Sequence, residues 1–160
     1  MKELGDYIQA KDPTVTFLAE TWTDDARLDQ VLRNFDFRNK WSAASGNRGG
    51  GLVLLWKEEI RITVEDSSKY CIDVLVENNA PQEWRFTGFY GEPVTAKRHE
   101  ARSKFRTLND KPHIPWLCAG ISMKSQDKKK RWEEQFVHIV KCKLSRNSLT
   151  NADIWIWVFL

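Results

Sequence analysis

Residues 84–93, with the sequence WRFTGFYGEP, carry the tyrosine that is the first candidate for chemistry in this chain. Bulky apolar residues alternate with small or polar ones, and the stretch then ends in a Gly-Glu-Pro turn. This pattern predicts a buried strand that delivers Tyr90 to the edge or mouth of a sheet. We therefore predict that Tyr90 is a functional residue.

A second candidate, Glu20, follows the apolar strand that residues 14–19 predict. An acidic residue at the carboxyl end of a strand is where a sheet enzyme usually places a ligand for a hard metal ion. The alternative is structural, since the Glu20 carboxylate could cap a helix predicted over residues 24–32. The position predicts a metal ligand, and the helix cap stays open as the other interpretation.

Basic residues accumulate after Pro93. Residues 1–93 contain 11 Lys and Arg against 16 Asp and Glu, whereas residues 94–160 contain 14 against 6. In the basic part, Ala101, Phe105 and Leu108 have the spacing of the apolar side of a helix. The remaining positions of this helix could hold a phosphodiester backbone, or they could be a solvated surface that binds nothing.

Length and composition favour one globular domain. The chain has 160 residues, of which 41% are apolar and 12% aromatic. Its first residues are charged and no apolar run reaches the length of a membrane span, so we expect an intracellular protein, nuclear or cytoplasmic, that is not secreted. Cys71, Cys118 and Cys142 are widely spaced within apolar runs, which predicts buried thiols in a reducing compartment.

Two strands are predicted over residues 60–64 and 71–77, and with residues 84–90 they form an antiparallel meander. Asp73 lies among the apolar positions of the second of these strands. Its alternation with Glu77 favours a solvent-facing or edge position over a catalytic one. A glycine-rich loop over residues 46–51 leads into a strand and lacks a following Gly-Lys-Ser/Thr, so no nucleotide cofactor is indicated.

Several of these motifs, in order along the chain, resemble the plant LINE-type (non-LTR) retrotransposon endonucleases of the endonuclease/exonuclease/phosphatase superfamily. The motifs are FLAET at 17–21, GGLVLLWK at 50–57, WRFTGFYG at 84–91 and PWLCAG at 115–120. The resemblance implies an α/β fold, part of a four-layer α/β/β/α sandwich like that of DNase I. It also implies hydrolysis of phosphodiesters with Mg²⁺, with Glu20 on the metal, Tyr90 at the catalytic site and Arg98 on nucleic acid.

Two positions differ from the most diagnostic motif of this family. The family continues Pro-Trp-Leu-x-x-Gly with Asp-Phe-Asn, whose aspartate and asparagine position the attacking water and the scissile phosphate. Ile121 and Met123 occupy these two positions here. An isoleucine offers no oxygen ligand to magnesium and no polar group to water, so we predict that the chain is catalytically inactive.

The resemblance also implies segments that this sequence does not contain. The family opens with a strand whose asparagine shares the metal and ends near a Ser-Asp-His motif, whereas here the similarity stops at about residue 146. We expect an incomplete domain over residues 1–146, without the first strand and the C-terminal half, and a divergent tail over residues 147–160. A helix is predicted through residue 140, and on it His138 with Cys142 is either half of a metal site or, more simply, a packed pair.

Two functions remain open at this point. The chain is either an inactive remnant of a magnesium-dependent phosphodiesterase or a non-catalytic fragment that binds nucleic acid, such as DNA, or protein through its basic C-terminal half. Residual nuclease activity would indicate an enzyme, whereas salt-dependent DNA binding without cleavage would favour the second function.

Overall fold

The computed structural model describes residues 2–21, 29–30, 33–43, 51–77, 83–91, 95–111, 114–121, 138–142 and 154–158. Two helices and a short 3-10 helix accompany a larger number of strands. In chain order the elements are α1 (Lys2–Lys11), β1 (Val15–Thr21), β2 (Asn39–Ala43), β3 (Gly51–Trp56), β4 (Arg61–Ser68), β5 (Cys71–Glu77), β6 (Trp84–Tyr90), the 3-10 helix (Thr95–Lys97), α2 (Arg98–Asn109), β7 (Trp116–Ile121), β8 (His138–Cys142) and β9 (Ile154–Val158).

The strands form two sheets, with the orders β2-β3-β1-β9 and β4-β5-β6-β7-β8. In the first sheet, β1 runs antiparallel to β3 and parallel to β9. In the second sheet, β4, β5 and β6 form the predicted antiparallel meander, and β7 is parallel to β6. The connection from β6 to β7 runs through α2, so the carboxyl ends of these two strands lie at the same end of the sheet.

The two sheets share one apolar core. Phe17 of β1 and Phe86 of β6 are fully buried, and their rings meet edge to face with centroids 6.0 Å apart. On the other side of the first sheet, Ile8 of α1 packs against Leu18 and residues of β3. Ala101 and Leu108 of α2 pack in a further cluster with Trp116 and other residues of the second sheet, which agrees with the predicted apolar side of this helix.

Gly88 is the position on β6 that lets the two sheets approach. A Cβ atom at Gly88 would overlap the ring of Phe17. We expect Gly88→Ala to lower the free energy of unfolding by about 1–3 kcal/mol, because Phe17 is enclosed and cannot move aside. Urea unfolding followed by tryptophan fluorescence measures this change.

The control for this prediction is a double-mutant cycle with Phe17→Leu, a smaller side chain at the same site. The destabilisation by Gly88→Ala should be smaller in the Phe17→Leu background, since the ring that causes the overlap is gone. Equal destabilisation in both backgrounds would show that Phe17 is not the residue that requires a glycine here.

The prediction of a helix through residue 140 is wrong for its last residues, 138–140. Residues 138–142 form β8, which pairs antiparallel with β7, because pairing with an existing strand satisfies the backbone groups of this short β-branched segment. Along a strand, the Cα atoms of His138 and Cys142 are about 13 Å apart. The helix face on which the predicted half metal site depended is therefore absent.

The prediction of buried thiols is confirmed for Cys71 and Cys118. Burial raises the pKa of the Cys71 thiol, which keeps it protonated and unreactive. The Cys142 side chain lies outside the described residues. In the described part of the chain, no helix has the length and apolar character needed to cross a membrane.

Candidate functional site

Tyr90 lies at the carboxyl end of β6, beside the end of β7. The two strands are parallel, and Tyr90 pairs with Ile121 in their register. Every residue of β6 is buried, as the sequence pattern predicted, and β6 is the middle strand of its sheet. Tyr90 is 9% exposed, and its backbone N–H donates to the carbonyl of Tyr70 at 2.7 Å. The tyrosine is thus held firmly at the end of a central strand.

Glu20 is the next-to-last residue of β1, so the predicted position at the carboxyl end of a strand is confirmed. The pairing of β1 with β3 shifts its register between Leu18 and Thr21, on either side of Glu20. Such a bulge changes the direction in which the following side chains point. The Glu20 side chain itself is outside the described residues, so its role as a metal ligand stays a prediction.

The other predicted positions have different outcomes. Ile121 is the last residue of β7, and Met123 lies outside the described residues. Arg98 is the first residue of α2 and is half-buried. It follows Lys97, which caps the helix without a side-chain hydrogen bond. The structure therefore brings Tyr90 and Ile121 together, and it places Arg98 at the start of the segment that links their strands.

A polar contact that the sequence did not reveal joins the β4–β5 hairpin to α2. The Tyr70 hydroxyl donates to Glu100 in the first turn of α2 at 2.6 Å, and Lys69 lies 3.5 Å from the same carboxylate. Burial raises the pKa of the Tyr70 phenol, and the hydrogen bond from Tyr70 lowers the pKa of Glu100. The tyrosine is thus a neutral donor to a charged carboxylate, close to the backbone of Tyr90.

A second bond between the same elements lies one turn further along α2. Lys104 donates to Asp66 of β4 at 2.5 Å, and this hydrogen bond raises the pKa of Lys104. Glu100 and Lys104 are four residues apart and therefore share one side of the helix. This side of α2 is fixed to the hairpin by two charged contacts.

Asp73 is fully buried, so the predicted solvent-facing or edge position is wrong. Its carboxylate accepts from Arg85 at 2.7 and 2.9 Å, from Thr87 at 2.5 Å and from Lys111 at 2.7 Å. A buried carboxylate is tolerated when each oxygen has charged or hydroxyl donors, and both oxygens of Asp73 do.

This buried network also reaches the end of α2. Arg85 donates to the carbonyl of Leu108 at 2.7 Å and lies over the ring of Trp116, 5.0 Å from the ring centroid. The indole of Trp116 donates to Thr87 at 2.9 Å. A network centred on the Asp73 carboxylate therefore joins β5, β6, β7 and the last turn of α2.

The sequence did contain a signal for this network. Asp73 pairs with Thr87 in the register of β5 and β6, and Arg85 is on the same side of β6 as Thr87. An acidic residue opposite an Arg-x-Thr pair is a complementary cross-strand arrangement. The register of β5 and β6, which the meander pattern alone does not give, is needed to recognise the contact.

The described residues do not fit a magnesium site at the ends of β6 and β7. In the described ranges, no group of three or more His, Cys, Asp or Glu side chains is arranged to hold a metal ion. Ile121, next to Tyr90, has no donor atom, whereas Mg²⁺ needs several oxygen ligands in octahedral geometry. Glu20 could supply one carboxylate, which by itself is too few.

Solved structures of other proteins share this fold. Humanized TDP2 of D. rerio is similar with a TM-score of 0.53 and 14% identity, over 74% of this chain and 53% of that one. An endonuclease/exonuclease/phosphatase family protein of Bacteroides thetaiotaomicron has a TM-score of 0.53 and 11% identity, over 74% and 51%. ANGEL2, a 2',3'-cyclic phosphatase, has a TM-score of 0.54 and 10% identity, over 75% and 42%.

At these identities the similarity shows the fold alone. The chain has a mixed α/β, DNase I-like fold of the kind found in endonuclease/exonuclease/phosphatase proteins. This confirms the α/β, DNase I-like part of the predicted fold class, whereas the four-layer arrangement and the missing segments stay predictions. It spans about half the length of these structures or less. No protein-family model matches the sequence, and no curated protein sequence matches it.

Proposed function

We propose that this chain, with its DNase I-like fold, is an inactive remnant of a magnesium-dependent phosphodiesterase domain of the type found in plant LINE retrotransposons. The fold shared with endonuclease/exonuclease/phosphatase proteins and the four sequence motifs support this proposal. In it, α1, the two sheets and α2 form part of a four-layer sandwich. The part that resembles this family extends to residue 146, and β9, in the divergent tail, adds a strand beside β1.

The pairing of Tyr90 with Ile121 supports the loss of activity most directly. In the resembled family an aspartate stands at the Ile121 position, beside the strand that ends in the tyrosine. Here the neighbour of Tyr90 has an aliphatic side chain that can neither hold a metal nor orient a water molecule. A phenol alone provides one polar group where hydrolysis requires several.

The test is a repair of the lost motif by Ile121→Asp together with Met123→Asn. We expect neither the natural chain nor the repaired variant to nick supercoiled plasmid DNA in millimolar Mg²⁺. General acid and base groups contribute roughly 10²–10⁴ each to a rate. The resembled active site has an asparagine on the metal and a catalytic histidine that the repair does not supply, so the rate should stay below detection.

The matched control is the repaired variant that also carries Glu20→Ala. Nicking by the repaired variant that disappears with Glu20→Ala would contradict the proposal, because it would show that one carboxylate and the repaired motif are sufficient. Nicking that persists with Glu20→Ala would instead indicate a contaminating nuclease, which a further purification would remove.

The second candidate function is binding of nucleic acid without cleavage. It is favoured by the exposure of basic residues on α2, among them Arg102 and Arg106. Such binding would be independent of the repaired motif, so the two candidates are tested separately.

A further inference from the structure

We propose that one side of α2 is a docking surface for the phosphate backbone of duplex DNA. This surface, which we call the arginine side, consists of Arg98, Arg102 and Arg106. The inference rests on the proposed function for its substrate class, a nucleic acid, but it requires no catalysis. It extends the single predicted contact at Arg98 to a row along the helix.

The spacing of the three arginines makes them one row. Each is four residues from the next, and side chains four apart lie above one another on successive turns of a helix. Four residues rise about 6 Å, so the row is about 12 Å long. Arg102 and Arg106 are exposed and Arg98 is half-buried, so the row is presented to solvent along most of its length.

Two other sides of α2 make contacts within the protein. Ala101, Phe105 and Leu108 pack with the second sheet. Glu100 is bonded to Tyr70, and Lys104 to Asp66. The acidic residue of the first turn is therefore directed to the hairpin, away from the arginine side.

The two exposed arginines, Arg102 and Arg106, are not neutralised within the described part of the chain. Neither Arg102 nor Arg106 has a hydrogen bond or ion pair with another side chain there. Asp110 follows the helix and bonds through its backbone N–H to the carbonyl of Arg106, without an ion pair to that arginine. At Arg102 and Arg106, the arginine side therefore carries positive charge for which the described fold provides no partner.

The chemistry of this surface fits phosphate. Guanidinium groups bind phosphate oxygens bidentately and are more weakly hydrated than the ammonium of lysine. Duplex DNA carries about one negative charge per 1.7 Å of axis, so a row of 12 Å faces several phosphates at once. Backbone contacts carry no base information, so the binding should be independent of DNA sequence.

The test compares two double variants of the full chain that remove the same charge. Arg102→Gln with Arg106→Gln changes the arginine side, and Arg38→Gln with Arg61→Gln changes two exposed arginines elsewhere in the fold, each of which is ion-paired to a carboxylate. Affinity for a fluorescent 20-base-pair duplex is measured by anisotropy from 50 to 200 mM salt. We expect the first variant to bind roughly tenfold more weakly at 50 mM and its salt slope to fall by about two, while the second changes little.

Four results would overturn the proposal. Equal weakening in both variants would show that only net charge matters, and an unchanged affinity in the first variant would exclude the arginine side. Absence of duplex binding by the natural chain at 50 mM salt, or a clear preference for RNA over DNA, would exclude duplex DNA as the partner. None of these outcomes depends on nicking, so a failure here is separate from a failure of the proposed inactivity.

Discussion

Replacing Asp73 by asparagine is expected to lower the free energy of unfolding by about 3–5 kcal/mol. The substitution keeps the size of the side chain but removes the charge that Arg85 and Lys111 share. Arg85 is 3% exposed, so its guanidinium would remain buried without a counter-charge, which is the costly way to break a buried ion pair. Chemical unfolding of both proteins at neutral pH measures the difference.

Asp66→Asn is the matched control, since Asp66 pairs with one lysine and both side chains are 28% exposed. Partly exposed pairs contribute about 1 kcal/mol or less. If the two asparagine variants were equally stable, Asp73 would not have the central role that its contacts indicate. The double variant Asp73→Leu with Arg85→Leu should lose less free energy of unfolding than the sum of the two single variants, because it leaves no arginine charge behind.

Gly120→Ala is expected to destabilise the protein by roughly 3 kcal/mol, at the upper end of the range for overpacked cores. A Cβ atom at Gly120 would overlap the backbone carbonyl of Phe89 on the neighbouring strand. A backbone atom cannot rotate away as a side chain can, so β6 and β7 would have to separate. Thermal unfolding by circular dichroism measures the loss.

Gly5→Ala is the control for this substitution. Gly5 lies within α1, and a Cβ atom there would meet the Phe35 ring at 3.5 Å, an ordinary contact distance. Alanine is the better helix former, so this variant should be as stable as the natural chain or up to about 1 kcal/mol more stable. A Gly120→Ala protein as stable as the Gly5→Ala protein would show that the strand ends tolerate a wider spacing.

The strands near Tyr90 could be predicted because their sequences carry the pattern locally. Residues 84–90 alternate and residues 71–77 are a short apolar run, and turn residues flank both, so the meander follows from the chain alone. The apolar side of α2 was equally visible in the spacing of Ala101, Phe105 and Leu108. In these segments, local pattern and tertiary packing agree.

Asp73 and β8 could not be predicted in the same way, because their environments are set by distant residues. Whether a carboxylate on a strand faces water or a buried arginine depends on what covers that side of the sheet, here the end of α2 and Lys111. Residues 138–142 are a strand because β7 offers an edge to pair with. A single-sequence pattern does not contain either fact.

The sequence predicted where the residues of the candidate site lie along their strands. Glu20, Tyr90 and Ile121 all lie at carboxyl ends of strands, as their places after apolar runs indicated. The contacts of Tyr70 with Glu100 and of Lys104 with Asp66 were missed, since residues 30 and 38 positions apart have no sequence relation that periodicity can show.

The parallel pairing of β1 with β9 has a consequence for the order of assembly during synthesis. Val15 pairs with Ile154, so the first sheet joins segments from opposite ends of the sequence. The strands of the second sheet follow one another from β4 to β8, and its contacts can form as each segment leaves the ribosome. The edge of β1 that pairs with β9 stays open until residues 154–158 are made, and contacts of such long sequence separation form slowly. For that interval the nascent chain displays an open strand edge, the feature that chaperones shield and that other nascent chains can pair with.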